Sequence, residues 1–239
     1  MGRFLLKETL KSKIRNVAKA ILKRPEHINI SIDAYLRSLN HSYISNFIKI
    51  GSNDGIKNDP LSKIILDFQW KGIMVEPFEP NFNRLKKNFG GHKNLFLEQA
   101  GISDKSGFFE FYYITDIQSD EPSWYDQVGS FDRETFIKNI EGEKALLSRI
   151  GSKKIPCMTF DELARKYHFN HVDLIHIDTE GYDWKILRSI DLKKYQPKII
   201  ILEFEWLTQY NVREAKKYLT ENSYRLYYSE GDCVAIKSI

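Results

Sequence analysis

The chain has 239 residues, 42% of them hydrophobic, with a formal net charge of +4 and two cysteines. That length and apolar content suit one α/β domain with a sizeable core and exclude an intrinsically disordered chain. The mild charge calls for no nucleic acid partner, no apolar run reaches the roughly 20 residues that span a bilayer, and Cys157 and Cys233, without CxxC spacing, read as reduced buried thiols of a cytoplasmic protein.

Residues 3–24 predict a basic amphipathic helix. Ile14, Val17, Ala18, Ile21 and Leu22 fall at helical spacing, Lys and Arg fill the other faces, and Pro25 ends the run. Such a helix can rest peripherally on the inner membrane surface. Its apolar stripe can equally pack on the domain or on a second copy in a homo-oligomer, which is the simpler reading. Residues 1–40 are therefore expected to form an N-terminal helical extension to a domain over 41–239.

The domain opens as β-α-β-α-β. An apolar strand at 47–50 runs into Gly51-Ser52-Asn53-Asp54-Gly55. A helix follows through residue 70, with Asp59 at its N-cap and Pro60 at its first position. A strand over 72–75 ends on Glu76-Pro77, a helix covers 81–89, and a strand over 94–98 ends at Gln99-Ala100. This alternation predicts a parallel sheet with right-handed crossovers. A strand over 108–114 comes next. Residues 115–155 are irregular in pattern and read as an insertion over the mouth of the sheet. Thr159 to Glu162 forms a capping box. A strand over 172–177 ends on Asp178-Thr179-Glu180-Gly181, and a helix follows over 184–189. A strand over 198–202 ends on Glu203, a helix covers 212–221, and strands over 224–228 and 233–237 close the chain as an antiparallel hairpin.

The strand ends carry the chemistry. Gly51 and Gly55 let the backbone turn sharply beneath a ligand, though the third glycine of the dinucleotide fingerprint is missing. Glu76 stands where Rossmann-type sites place an acid on ribose hydroxyls, and Pro77 follows it. Gln99, Ala100 and Ser103 occupy the edge that faces an adenine ring. Asp178, Glu180 and His176 gather at the fourth strand end, where open α/β sheets bind ligands. Either Glu180 or His176 can take a proton from a hydroxyl, and Asp178 can hold a ligand ammonium or orient the acceptor. Glu203 and Glu205 lie near the same rim. Trp124 and Tyr125 are candidates to stack on a sugar ring and Ser130 to hydrogen-bond it. These acids can ligate Mg²⁺ through oxygen, but their spacing does not demand it and no metal is expected. The competing reading is a different nucleotide-binding Rossmann protein, such as an NAD-dependent oxidoreductase. The missing glycine and the terminal hairpin weigh against it.

Together these residues resemble the FkbM-type methyltransferases. The likeness rests on Ile50-Gly51-Ser52-Asn53-Asp54-Gly55, Val75-Glu76-Pro77, residues 100–107, Ile177-Asp178-Thr179-Glu180-Gly181 and Ile201-Leu202-Glu203. It implies a Rossmann-like class I methyltransferase fold, with a mostly parallel seven-stranded sheet and a C-terminal antiparallel hairpin. It implies S-adenosyl-L-methionine as methyl donor and O-methylation of a sugar, glycan or natural-product hydroxyl. Two positions depart from the family's pattern: Lys49 stands where an acid is usual, and His176 where a lysine is usual.

Overall fold

In the computed structural model the described residues are 31–39, 43–229 and 231–238, so the basic segment at 3–24 lies outside them. The core strands are β1 (Asn46–Ile50), β2 (Lys71–Val75), β3 (Leu95–Glu98), β8 (Leu174–Ile177) and β9 (Ile199–Glu203). β1, β2, β8 and β9 are rich in Ile, Leu and Val and buried on both faces, as a parallel sheet covered by helices on both sides requires, while β3 at the sheet edge is half-buried. One face packs Ile48, Ile50, Val75, Ile175 and Ile177. The other packs Phe47, Met74, Leu174, Ile199 and Ile201. Only Lys49 and His176 interrupt the apolar run within β1 and β8. They are register neighbours on adjacent strands, and each is 2% exposed.

The chain closes with β10 (Tyr224–Ser229) and β11 (Asp232–Lys237), an antiparallel hairpin turned through Gly231 at φ +98°. β11 inserts antiparallel beside β9, giving a seven-stranded sheet of order β10-β11-β9-β8-β1-β2-β3. The chain therefore reverses its winding between β1 and β8. The crevice outside their carboxyl ends is where a sheet of this kind binds ligands.

Local signals set the helices. Asp59 Oδ1 accepts from the amides of Leu61 and Ser62 at 2.8 and 3.2 Å, ahead of the helix Ser62–Phe68. That helix stops before Trp70, at Gln69 in the left-handed region (φ 52°). Thr159 and Glu162 form the expected capping box ahead of Phe160–Lys166. Thr208 caps Gln209–Glu221. No helix among the described residues is long and apolar enough to cross a membrane. Cys157 and Cys233 are both free and buried.

The stretch 115–155 contains regular elements where its sequence reads as irregular. β4 (Gly101–Ile102), β5 (Gly107–Ile114), β6 (Gly129–Ser130) and β7 (Ile150–Met158) form a second, four-stranded sheet of order β4-β7-β5-β6. β7 pairs antiparallel with β5 from Gly107↔Cys157 to Ile114↔Ile150. The helix Arg133–Asn139, capped by Asp132, covers its own small core of Ile114, Phe136, Ile140 and Leu146. The strand pattern is hidden in the sequence because β7 buries only Ile155 and Cys157, exposes Lys153 and Lys154, and contains Pro156, a residue that usually argues against a strand.

Candidate active site

The turn after β1 makes the floor of a cavity of about 360 Å³. The amides of Gly51 and Ser52 both donate to the carbonyl of Val75, at 3.1 and 2.9 Å, which folds the loop back over β2. Gly51 has φ +79°, and a Cβ there would lie 1.7 Å from the carbonyl oxygen of Asp178. Glycine alone lets this loop rest against the end of β8. Glu76, at the end of β2, is 4% exposed. Its Oε2 accepts from the amide of Asn53 at 2.8 Å and its Oε1 from that of Phe78 at 2.9 Å. Each oxygen keeps one lone pair for a further donor. Burial pushes this carboxyl up to about 7, against the two amides and the charges of Lys49 and Arg84.

The opposite rim is acidic. Asp178 follows β8, and Glu180 then sits in the left-handed region at φ 53°, a costly conformation for a side chain of this kind. Three groups hold the loop there. Asp183, fully buried, accepts from the amides of Thr179 and Gly181 at 3.3 and 3.1 Å. Ser130 Oγ donates to the carbonyl of Glu180 at 2.9 Å. Asn139 Nδ2 donates to Glu180 Oε2 at 2.8 Å. One carboxylate oxygen from each of Asp178, Glu180 and Glu203 lies within 4.8 Å of the other two, close enough to share a proton or hold a cation through oxygen. Burial, reinforced by the neighbouring acids, pushes Glu180 up to about 8 and Glu203 up to about 11. Asp178 is also raised by burial and by Asp59, with Lys49 opposing. Burial and the Lys49 charge push His176 well below its ordinary value, so its imidazole is neutral, and its Nδ1 has no hydrogen-bond partner among the described residues.

Gly51, Ser52, Asn53, Glu76, Pro77, His176, Asp178, Glu180 and Glu203 all line this one cavity. Other anticipated residues do not. Asp54 and Gly55 build the turn instead: Asp54 Oδ1 accepts from Ile56 and Lys57, while Gly55 packs on Leu85 and Phe89. Gln99 is exposed and Ala100 is buried away from the cavity. Ser103 pairs with the Tyr182 hydroxyl at 3.1 Å. Gly101 and Ile102 face the cavity in their place, because the chain leaves β3 and crosses into the second sheet at those two residues. Trp124 packs edge-on against Tyr125, which belongs to the small core under the second sheet, and neither lines the cavity. Ser130 acts by holding the Glu180 carbonyl.

Lining residues that sequence reasoning passed over include Asn81, Phe131 and Gln127, contributed by a helix and the second sheet's connections. No local pattern marks them. Asp183 carried a signal that was overlooked, an acid opening a helix directly after a glycine turn.

A sheet of this order, with a glycine turn after its first strand and an acid ending its second, is the fold of the class I methyltransferases, whose cofactor is S-adenosylmethionine. The chain belongs to the FkbM methyltransferase family: the Methyltransferase FkbM domain matches residues 49–226. Similar solved structures include the FkbM methyltransferase of Methylobacillus flagellatus KT, at 11% identity and TM-score 0.49, covering 81% of this chain and 44% of that one. An O-methyltransferase from Bacillus cereus, in complex with SAH, gives 12% identity and TM-score 0.44 over 96% of this chain and 91% of that one. The N-terminal domain of human METTL16, in complex with SAH, gives 10% identity and TM-score 0.38 over 84% and 64%. The chain thus spans under half the length of the first of these. No curated protein matches it in sequence.

The residues present fit the cofactor. Glu76 has the two spare lone pairs that a ribose diol needs, Ile102 and Phe131 offer an apolar flank for a base, and Asn53 Oδ1 is buried with no partner of its own.

Proposed function

We propose that the protein methylates a hydroxyl oxygen of a sugar, glycan or natural-product acceptor. The observation that carries this reading is the meeting of Asp178, Glu180 and Glu203 at one end of the cofactor cavity. S-adenosylmethionine, when bound, supplies an already activated methyl group. The protein must then hold a hydroxyl in line with it and accept a proton, because a protonated alcohol is a poor nucleophile.

Glu180 suits the proton transfer. One oxygen is held by Asn139, which leaves the other for the acceptor hydroxyl. A carboxyl poised at about 8 lies close enough to neutrality to take a proton and release it to solvent. Glu180 would take the hydroxyl proton as the acceptor oxygen receives the methyl group. Asp178 orients the acceptor, and burial and the Lys49 charge, which keep His176 neutral, weigh against that imidazole as the base. The cavity's outer lining of Asn58, Gln127, Glu205 and Asp232 is polar, which favours a polyhydroxylated acceptor over an apolar one.

The test is incubation with methyl-labelled S-adenosylmethionine and a panel of monosaccharides, oligosaccharides and polyols, with products identified by mass spectrometry. A labelled methyl ether on one acceptor is the expected product. Label on nitrogen or carbon, with none on oxygen across the panel, contradicts the reading.

A further inference from the structure

The cavity has an unusual charge balance. Its inner lining carries Glu76, Asp178, Glu180 and Glu203, whereas its cations are Lys49 and Lys57. Lys57 is an exposed residue and is paired with Asp126 at 3.2 Å. Lys49 is therefore the buried cation available to this lining. It stands on β1 where the FkbM pattern would place an acid, two residues before Gly51.

Lys49 meets Asp59, which the helix Ser62–Phe68 brings over the same sheet face. The Nζ to Oδ2 distance is 3.4 Å, and each side chain is 3% exposed. A buried ion pair repays its desolvation only when geometry is good and the remaining hydrogen-bonding capacity is used. Here it is not used. Asp59 spends Oδ1 on the amides of Leu61 and Ser62, and its Oδ2 is buried with no hydrogen-bond partner. Lys49 makes one long bond to the carbonyl of Gly51, at 3.3 Å. Spare donors on an ammonium and a spare acceptor on a carboxylate thus border one cavity, side by side.

The ligand chemistry that answers this pair is a zwitterion whose two charges are separated by one carbon. The cofactor's amino-acid end is such a group. Its carboxylate, set against Asp178, Glu180 or Glu203, would be repelled; set against Lys49 it is neutralised. We propose that Lys49 receives the α-carboxylate and Asp59 the α-ammonium of the cofactor's methionine portion, an inference that rests on the methyltransferase reading. Asp59 then supplies, from the turn ahead of the neighbouring helix, the negative charge that the family pattern carries on β1.

The experiment is calorimetric titration with S-adenosylhomocysteine and with 5′-methylthioadenosine, which keeps the nucleoside and thioether but lacks the amino acid. The wild type should prefer S-adenosylhomocysteine. Lys49→Met and Asp59→Asn should each weaken its binding about tenfold or more, the scale of a charge-assisted hydrogen bond, while 5′-methylthioadenosine binds as before. Each single variant strands a buried charge, so the double variant K49M/D59N, which removes both, guards against misfolding. It should bind both ligands equally. A preference retained in the double variant overturns the proposal, as does parallel loss of both ligands, which marks the pair as structural. If the wild type binds neither ligand, the methyltransferase reading itself falls, and this inference with it.

Discussion

Two carboxylates flank the same strand and have opposite surroundings. Asp173 precedes β8 and Asp178 follows it. Asp173 is saturated: its Oδ2 accepts from the amides of Ser45 and Asn46 and from the Ser45 hydroxyl, and its Oδ1 meets Lys198 at 2.7 Å and His171 at 3.0 Å. Burial alone would raise this carboxyl, but Lys198, Ser45 and His171 overcome it and hold the group well below the ordinary carboxylate range. Asp178, four residues of strand away, is raised, and it crowds against two more acids. The amino-terminal edge of the sheet is built as a finished joint. The carboxyl-terminal edge keeps charge and hydrogen-bonding capacity unspent, as a binding site must.

Substitutions should separate the two ends. The largest effect is expected for Glu180→Gln, which should lower methyl transfer roughly 10²-fold or more, the usual contribution of a positioned base. Its S-adenosylhomocysteine affinity, measured by calorimetry, should not change. Asp173→Ala should do the reverse. It leaves two backbone amides and Lys198 without their partner, which should cost about 3 kcal/mol in denaturant-melt stability while cofactor affinity stays the same.

The pH response should sharpen the contrast. Burial raises Glu76 from 4.5 to about 7 and Asp183 from 3.8 to about 8, so between those values the folded protein binds more protons than the unfolded chain. Stability from these groups is complete below about pH 4 and is lost as pH rises through 7 and 8. Asp173 acts oppositely, its contribution fading only in strong acid. The melting temperature of the ligand-free protein should therefore fall from pH 5 to pH 9. A flat or rising profile would contradict the burial of Glu76 and Asp183. The smallest effect, about 1 kcal/mol, is expected for Thr159→Ala, which removes a capping box that does not line the cavity and should leave binding intact.

The parts of this architecture that sequence makes legible are those written in contiguous residues. Ile48 and Ile50 running into Gly51 announce a strand and a turn, Glu76 ends an apolar strand, and Thr159 with Glu162 spells its cap. The closing hairpin is marked by Gly231 between two strand-forming runs. What escaped depends on partners distant in the chain. β7 looks irregular because Ser152, Lys153 and Lys154 are exposed in a row and Pro156 stands within the short alternating run that follows. Gly101 and Ile102 face the cavity because the chain changes sheets there, a fact of topology that the side chains of Gln99 and Ser103 do not reveal. Trp124 and Tyr125 pack edge-on outside the cavity lining, and composition does not reveal where an aromatic ring will stand. The importance of Lys49 depends on Asp59, ten residues on, folding back over the same face.

The central claim is that Glu76 grips the ribose of S-adenosylmethionine. Titration of S-adenosylhomocysteine into wild type and Glu76→Ala tests it most directly. The wild type should bind, and the variant should lose about tenfold or more in affinity. Equal affinity in the two proteins, or a wild type that takes up NAD and ignores S-adenosylhomocysteine, would contradict it.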